Sequence, residues 1–413
     1  MSTYTAEEAC RSCGAHRLHE VLSLGATPLA NALLRADDLT RPERKIPLTL
    51  CLCEACSLVQ LRETVDPAVM FSDYLYFSSF SDTMLAHAKA IVERTIEAER
   101  LHGESLVVEI ASNDGYLLQY YQRKGIPVLG IEPAANIAEV AVRERGIPTR
   151  VDFFSADLAA SLRAEGLRAA VVHANNVFAH VPDTNGFMRG LATILADDGV
   201  AIVEAPYVRT MLDQREFDTI YHEHVFYFSL TAVDRLARRH GMVVADVEEL
   251  GIHGGSLRFF LRQAKAAGPS ARVQALLEKE QRWGVDDRAT YDAFGDDVKA
   301  LRESLRTLLT DLKARGGRLA AYGASAKGST LLNFFGIGRD LLDFVVDRST
   351  VKQGRYTPGT HLLIRPVDAL SQERPDYVLL LTWNFRDEIL GQQESYRRAG
   401  GKFIIPIPEP TVV

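Results

Sequence analysis

The most chemically distinctive segment of this sequence is a run of four titratable side chains between apolar and aromatic neighbours: Tyr221, His222, Glu223 and His224. A histidine with a pKa of about 6.5 can remove a proton at neutral pH, so the run suits acid–base chemistry. In an extended segment, the two histidines would share one face and the other two residues the opposite face. The HExxH spacing of metal-binding helices is absent. From the residues alone, catalysis and a purely structural network are both open interpretations.

All five cysteines lie within the first 56 residues, and four of them form two CxxC pairs: Cys10 with Cys13, and Cys53 with Cys56. Each pair places two thiolates on one tight turn, and two such turns make the tetrahedral sulfur site that suits zinc. Four cysteine ligands leave no open coordination position, which predicts a structural zinc. Free buried thiols or a redox pair are the alternatives. Cys51 lies too close to Cys53 to join that turn, and we expect it to be buried in a strand.

An apolar segment at 105–110 predicts a buried strand that leads into a loop of small and polar residues and then a helix. This arrangement is typical of nucleotide binding, because the loop admits a ligand and the helix end offers free N–H groups. A second strand ends at Glu132, 23 residues after Glu109, where a carboxylate can accept hydrogen bonds from ribose hydroxyls. The GxGxxG pattern that serves a pyrophosphate is absent, which favours S-adenosylmethionine (SAM) over NAD. A Rossmann-like domain without such a ligand is the alternative.

Later segments extend the same pattern. Asp152 and Phe153 follow the third predicted strand, where they can hold an adenine by a hydrogen bond and by stacking. The fourth strand ends at Asn175, the fifth spans 200–206, and the last two segments predict a hairpin. Strands and helices that alternate and close in a hairpin are typical of class I methyltransferases.

The rest of the chain predicts a helix-rich bridge at about 264–315 and a second strand–helix alternation after it. We therefore expect an α/β protein of three parts: a zinc-binding lobe at 1–70, a class I SAM methyltransferase (Rossmann-like) domain at 71–263 with a helical lead-in at 71–104, and the bridge with a second, C-terminal Rossmann-like domain at 264–413. The net charge of −7 argues against a nucleic-acid partner. Neither a signal peptide nor an apolar run of about 18 residues is evident, so we expect a cytoplasmic location and no membrane partner.

A series of longer motifs accompanies the paired CxxC turns in a fixed order: PLANALL (28–34), CSLVQL (56–61), EIASNDG (109–115), GIEPAANIA (130–138), NNVFAHVPD (175–183), FDTIYHEHVFYFS (217–229), HGGSLRFF (253–260), YGASAKGSTLLNFFGI (322–337), DRSTVKQGRYTPGTH (347–361) and LTWNF (381–385). Together they resemble the nucleotide-sugar C-methyltransferases, which add branch methyl groups to deoxysugars. The resemblance covers nearly the whole chain. It implies a zinc lobe, a SAM domain and a C-terminal Rossmann-like domain that helps to bind the nucleotide sugar.

The resemblance also implies roles for residues of the catalytic site. His224 matches the general base, with Glu223 beside it and Tyr221 as a candidate donor to an enolate oxygen. His180 and Tyr76 match further residues at the site; a helix-entry position and plain packing are their respective alternatives. His222 departs from an acidic residue in some members, so we assign it no role.

Binding residues follow from the same resemblance and from the loop pattern. The predicted SAM-binding residues are Glu109, Ser112, Asn113, Gly115, Glu132, Asp152, Phe153 and Asn175. Lys327 stands where a predicted helix begins, so it can meet a phosphate together with backbone N–H groups. The resemblance implies that Tyr322, Lys327, Lys352 and Asn384 flank the nucleotide diphosphate or the substrate. For the two lysines, a solvated surface charge is the alternative.

The predicted function is SAM-dependent methylation of the carbon next to the ketone of an NDP-4-keto-deoxysugar, at C3 of a dTDP-linked hexose, in a protein that carries structural Zn²⁺. Methylation at C5 and a different carbonyl substrate are the nearest alternatives. An NAD-dependent sugar oxidoreductase or epimerase is disfavoured because both loops lack GxGxxG. A zinc-ribbon nucleic-acid module is disfavoured by the acidic charge. The expected oligomeric state is a monomer.

Overall fold

The computed structural model describes residues 4–71, 78–251 and 254–413, so Tyr76 lies outside the described residues. Four β-sheets organise these ranges: a two-stranded, a four-stranded, a seven-stranded and a six-stranded sheet. Within the same ranges, no helix is long and apolar enough to cross a membrane.

The N-terminal lobe is built on an antiparallel sheet. Its strands are β2 (Leu18–Thr27), β3 (Ile46–Cys53), β4 (Val59–Leu61) and β11 (Phe226–Tyr227), in the order β11-β4-β3-β2. A short ladder pairs β1 (Tyr4–Ala6) with β5 (Glu63–Val65), followed by α1 (Pro67–Phe71). Cys51 is fully buried in the lobe sheet, as expected, and burial raises the pKa of its thiol to about 11. One strand of the lobe therefore comes from far along the chain.

The methyltransferase domain is a seven-stranded sheet with helices packed against it. Its strands are β6 (Leu106–Ile110), β7 (Val128–Ile131), β8 (Thr149–Arg150), β9 (Ala169–Asn175), β10 (Leu195–Pro206), β12 (Met242–Leu250) and β13 (Ser256–Gln263). Their order is β12-β13-β10-β9-β6-β7-β8, and the five strands from β10 to β8 are parallel. β13 runs antiparallel to both neighbours, which closes the sheet with the expected hairpin. The predicted class I methyltransferase fold is confirmed.

The helices of this domain begin at side-chain caps where the sequence offers them. They are α2 (Asp82–Ala98), α3 (Leu118–Gln122), α4 (Ala135–Arg145), α5 (Ala156–Ala164), α6 (Thr184–Ile194), α7 (Val208–Asp213) and α8 (Leu230–Arg239). Ser155, Asp183 and Ser229 each accept a backbone N–H of the first turn that would otherwise lack a partner. The Glu280 carboxylate adds two more such bonds at the start of α8, from the N–H groups of Leu230 and Thr231.

The C-terminal part is a helical bridge followed by a second Rossmann-like sheet. Its helices are α9 (Ala271–Trp283), α10 (Arg288–Ala314), α11 (Ala326–Phe335), α12 (Ala369–Glu373), α13 (Arg386–Gln392) and α14 (Glu394–Arg398). Its strands are β14 (Leu319–Tyr322), β15 (Val345–Val346), β16 (Ile364–Arg365), β17 (Tyr377–Leu380), β18 (Lys402–Ile405) and β19 (Thr411–Val412), in the order β16-β15-β14-β17-β18-β19. All neighbours are parallel except β18 and β19.

Apolar packing joins the N-terminal lobe to both other parts. One buried cluster extends from Cys53 and Leu58 into the methyltransferase sheet. A second extends from Leu50 through Leu305 of α10 to Leu379 of the C-terminal sheet. Because buried apolar area is the main favourable contribution to folding, packing against both neighbours stabilises the lobe.

Candidate active site and zinc centre

The two CxxC turns bring four thiols together. The Sγ atoms of Cys10, Cys13, Cys53 and Cys56 all lie within 4.8 Å of one another. The Cys10–Cys56 and Cys13–Cys53 Sγ pairs are each 3.6 Å apart. Zinc bonds of about 2.3 Å in a tetrahedron require sulfur separations of about 3.8 Å, so the cluster fits the ion.

The first CxxC turn also fastens the lobe to the methyltransferase domain. The Arg11 guanidinium donates to the backbone oxygens of Leu61 and Arg62. The Asn185 side-chain amide at the start of α6 donates to the backbone oxygens of Arg11 (2.7 Å) and Ser12 (3.2 Å). The zinc turn therefore lies at a junction between two parts of the chain.

The loop after β6 is held by the carboxylate at the end of β7. One oxygen of Glu132 accepts the Asn113 N–H (3.0 Å), and the other accepts the Ala134 N–H (2.9 Å). Asn113 and Gly115 have φ angles of 48° and 76°, which bend the chain sharply before α3. A Cβ on Gly115 would lie 2.9 Å from the Ile147 side chain, so glycine is required there on both counts.

Several buried polar atoms around this loop have no hydrogen-bond partner within the described residues: Glu109 Oε2, Ser112 Oγ, Asp114 Oδ1 and Asn175 Oδ1. They lie at or just beyond the carboxyl ends of β6 and β9, where the strand order of the sheet reverses. Buried polar atoms are nearly always paired in proteins, so this group fits a ligand rich in donors, such as the hydroxyl and ammonium groups of SAM.

The electrostatics of this loop favour a cation. Burial raises the pKa of Glu109 well above its ordinary range, and the negative charges of Glu132 and Asp114 raise it further. Burial also raises the pKa of Glu132. A positively charged ligand would relieve this repulsion, and SAM carries a sulfonium charge.

The residues expected at the adenine lie at the edge of the same domain. Phe153 is 42% exposed, and the Asp152 carboxylate accepts its N–H (2.8 Å). Both follow β8 directly. Adenine binding by this pair stays a prediction.

Residues 221–224 form a turn, closed by a hydrogen bond from the His224 N–H to the Tyr221 oxygen (2.8 Å). The extended arrangement considered from the sequence is wrong, because this turn places Tyr221 and His224 on the same side. Their ring centroids are 4.1 Å apart, and the Tyr221 hydroxyl lies 2.9 Å from His224 Nε2. His224 Nδ1 lies 2.9 Å from the Thr219 oxygen. Since a carbonyl only accepts, Nδ1 carries the proton, and Nε2 accepts from Tyr221.

The neighbours of His224 are also fixed by hydrogen bonds. His180 Nδ1 donates to the Glu223 oxygen (2.6 Å), and the rings of His180 and His224 have centroids 4.9 Å apart. Burial lowers the pKa of His180 to about 4, so its ring is neutral. The Glu223 carboxyl accepts from the Asn31 amide (2.6 Å), and burial raises the pKa of Glu223 to about 7. The structure thus brings four of the five predicted catalytic residues together.

His222 points away from this group. Its Nε2 donates to the backbone oxygens of Pro47 (3.1 Å) and Ile46 (3.3 Å) in β3. Burial lowers the pKa of His222, so the ring stays neutral. Its contacts bind the turn to the N-terminal lobe, and the next strand, β11, pairs with β4.

The predicted substrate residues surround the loop after β14. Lys327 Nζ is buried, lies 3.8 Å from Glu216 Oε2 and sits 4.9 Å from the Trp383 ring centroid. Lys352 Nζ donates to the Ala324 oxygen (2.8 Å). The solvated-charge alternative is therefore wrong for Lys327, whose side chain is 19% exposed.

The other two predicted substrate residues lie beside these lysines in the fold. Tyr322 ends β14 and is 4% exposed, and its hydroxyl has no hydrogen-bond partner within the described residues. Asn384 lies in a short 3-10 helix, Trp383–Phe385, after β17. The unpaired Tyr322 hydroxyl is free to bind a ligand.

Sequence reasoning missed four residues that contact the 221–224 turn (the catalytic turn) or belong to the segment just before it: Asn31, Thr219, Glu216 and Asp218. The Trp383 indole donates to Asp218 Oδ2 (2.7 Å) across the boundary between domains. Asn31 lies inside the PLANALL motif, and the two acids and Thr219 precede the YHEH run. Asn31 is an exposed residue of that motif, and its partner Glu223 is 192 residues away, so no local pattern pointed to the pair.

Sequence models of three protein families match consecutive parts of the chain. They are a zinc binding domain at 10–71, a methyltransferase domain at 84–247 and a C-methyltransferase C-terminal domain at 251–408. The chain is also 36% identical to the C-methyltransferase NovU of Streptomyces niveus over 408 residues, which cover 98% of this chain and 97% of that protein. The chain belongs to this family of C-methyltransferases. It combines a SAM-binding methyltransferase domain with a zinc-binding domain whose four cysteines form one cluster.

Solved structures with partial likeness to this C-methyltransferase include two methyltransferases. One is the magnesium protoporphyrin IX methyltransferase ChlM of Synechocystis PCC 6803 with bound SAH, at 14% identity and a TM-score of 0.36 over 43% of this chain and 83% of that chain. The other is a SAM-dependent methyltransferase of Anabaena variabilis, at 15% identity and a TM-score of 0.34 over 42% and 84%.

Proposed function

We propose that this C-methyltransferase acts on an NDP-4-keto-deoxysugar and methylates the carbon next to the ketone, at C3 of a dTDP-linked hexose. The observation that carries the proposal is the catalytic turn. It presents a histidine of fixed tautomer beside a hydroxyl donor. The residues just before it contact the C-terminal domain, in which Lys327 and Lys352 lie beside the loop after β14.

The position of the turn supports a reaction between ligands of the two domains. The Val225 N–H donates to the Ala179 oxygen (2.8 Å), just beyond Asn175 at the end of β9. On its other side, Asp218 accepts from Trp383 next to Asn384. This contact links the segment before His224 to the segment that carries Asn384, one of the residues assigned to the nucleotide sugar.

Base catalysis follows from the hydrogen bonds of His224. A C–H bond next to a ketone becomes acidic because the resulting electron pair delocalises onto the carbonyl oxygen. Nε2 of His224 takes that proton, and the imidazolium that forms keeps its Nδ1–H bond to the Thr219 oxygen. Nδ1 therefore needs no rearrangement during the step.

Tyr221 is placed to stabilise the enolate. In the structure its hydroxyl donates to His224 Nε2, the atom that must accept the proton of the substrate C–H. When substrate displaces it from Nε2, the hydroxyl can donate to the oxyanion that develops on the substrate. A donor placed there stabilises the transition state. SAM, when bound at the methyltransferase loop, would supply the electrophilic methyl group, with S-adenosylhomocysteine as the leaving group.

The proposal is tested by incubation with a panel of dTDP-4-keto-6-deoxyhexoses in D₂O, with and without SAM, followed by mass spectrometry and NMR. The expected result is one methyl on carbon with SAM, and deuterium at the same carbon without it. Label and methyl at C5 would move the reaction to that carbon. No exchange and no methylation across the panel would contradict the sugar substrate.

A further inference from the structure

The two tryptophans of this chain occupy different settings. Trp383 follows β17 in the C-terminal domain, and its indole donates to Asp218 Oδ2 (2.7 Å). Asp218 is fully buried in the 3-10 turn Phe217–Thr219 that precedes the catalytic turn. Trp283 makes a bond of similar length, 2.9 Å, to Asp213 in a more exposed position. Only the first of these bonds reaches the 3-10 turn that precedes the catalytic turn.

Asp218 connects that indole to the peptide on which His224 depends. Asp218 and Thr219 are consecutive residues of one 3-10 turn, in which the Thr219 N–H donates to the Glu216 backbone oxygen (3.2 Å). The Thr219 oxygen in turn accepts from His224 Nδ1 (2.9 Å) and from the Tyr227 hydroxyl (3.1 Å). A rotation of this one peptide would remove the acceptor that keeps the proton on Nδ1.

The same helix that carries Lys327 pins the turn by apolar contact. Phe217 stacks on Phe335 of α11, with ring centroids 4.6 Å apart and an interplanar angle of 19°. Lys327 Nζ lies over the Trp383 ring, 4.9 Å from its centroid. Trp383 therefore contacts a predicted substrate lysine with its face, and with its N–H it contacts the 3-10 turn that precedes the catalytic turn.

We infer that Trp383 and Asp218 are a positioning pair, through which the C-terminal domain holds the Thr219 carbonyl and so the orientation and tautomer of His224. The inference rests on the proposed role of His224 as general base. Trp383 does not touch the reacting atoms by this contact; it acts through Asp218. A bond that only packs two domains together would leave the His224 ring unchanged when removed.

The test replaces the indole by a ring without the N–H, Trp383→Phe, with Trp283→Phe as the matched control. Histidine ring nitrogens are labelled with ¹⁵N, and the His224 signals are assigned by their loss in His224→Gln. Wild type and Trp283→Phe should show the Nδ1–H tautomer. Trp383→Phe should show a mixture of tautomers, and a wild-type spectrum in that variant would overturn the inference. Asp218→Ala breaks the same bond from the other side and should give the same change.

Kinetics on the keto-sugar separate positioning from binding. Trp383→Phe keeps an aromatic face under Lys327, so we expect kcat to fall about tenfold or more with KM changed less than about threefold. The double variant with Asp218→Ala should lose no more than either single variant, since both remove one bond. If wild type methylates no sugar, the proposed substrate fails, whereas the ¹⁵N spectra still decide the inference.

Discussion

The methyltransferase and C-terminal domains each contain a strand–loop–helix unit closed by an acid at the end of the next strand. Glu132 accepts the N–H of Asn113 in its loop and of the residue two positions after itself. Asp347 does the same with Ala324 (2.7 Å) and Ser349 (2.8 Å). The two loops share this backbone arrangement, but the charges of the side chains around them have opposite signs.

Acids surround the first loop, and lysines surround the second. Glu109 and Asp114 face the methyltransferase loop, where a cationic ligand is stabilised. Lys327 and Lys352 lie at the C-terminal loop, where an anionic diphosphate would be stabilised. One backbone arrangement can therefore serve ligands of opposite charge, and we expect a few charged side chains to decide between them.

The largest expected effect comes from His224 in the catalytic turn. His224→Gln should lower methylation by about 10²–10⁴-fold, because the base is lost, while the affinities for SAM and for dTDP-glucose stay within about twofold. Steady-state kinetics and calorimetry measure both. His102→Gln, on an exposed loop, is the control; a His224 variant with full activity would remove this residue as the base.

Loss of zinc should have the second largest effect, because the zinc lobe supports the catalytic turn through the contacts of His222 with β3. Replacement of Cys53 and Cys56 by Ser should abolish zinc content and lower Tm by about 10 °C or more. Activity should fall with it, since β11 directly follows the turn and pairs with β4. Metal analysis and thermal denaturation give the readouts. A metal-free variant with wild-type Tm would contradict a structural zinc.

The difference between the two loops is tested by replacing the acid that closes each of them with its amide. Glu132→Gln should weaken SAM binding about tenfold and leave dTDP-glucose affinity unchanged, and Asp347→Asn should do the reverse. Each variant thus serves as the control for the other, and isothermal titration measures both ligands. Equal losses for both ligands in either variant would show that the two loops are not independent sites.

The smallest expected effect concerns pH at the C-terminal loop. Burial raises the pKa of Glu216 to about 7, although the Lys327 charge lowers it. Below that pH the carboxyl is neutral and leaves Lys327 free for a phosphate; above it the carboxylate competes. Affinity for dTDP-glucose, whose diphosphate keeps its charge, should therefore fall a few-fold between about pH 6 and about pH 8.

Glu216→Gln removes this competition and should bind dTDP-glucose equally well across the same range. Glu139→Gln, on the exposed face of α4, should keep the wild-type slope. If the Glu216 variant also keeps the wild-type slope, another group causes the pH dependence.

Local patterns in the sequence were enough for the fold class of the methyltransferase domain and for the cysteine cluster. An apolar run ending in Glu109, a second ending in Glu132 and a final hairpin predict a class I methyltransferase, because each signal lies within a few residues. The paired CxxC turns likewise predict their own cluster. The shape of the 221–224 turn was not predictable, since tertiary contacts of His222 with β3 override any local preference.

The contacts that hold the catalytic turn and the segment before it could not be predicted from local sequence patterns. Asn31 reaches Glu223 across 192 residues, and Trp383 reaches Asp218 across 165. Periodicity and spacing describe neighbours along the chain, whereas these pairs depend on how three parts pack. A single sequence gives no signal for such a pair.

The pairing of β11 with β4 also sets an order of events during synthesis. Phe226 lies opposite Gln60, 166 residues later in the chain, so the edge of the zinc lobe stays unpaired until most of the methyltransferase domain has left the ribosome. Domains usually fold from the N-terminus as they emerge, and long-range strand pairing is slow. We therefore expect the zinc lobe to be completed late, by a strand that directly follows His224, the proposed base.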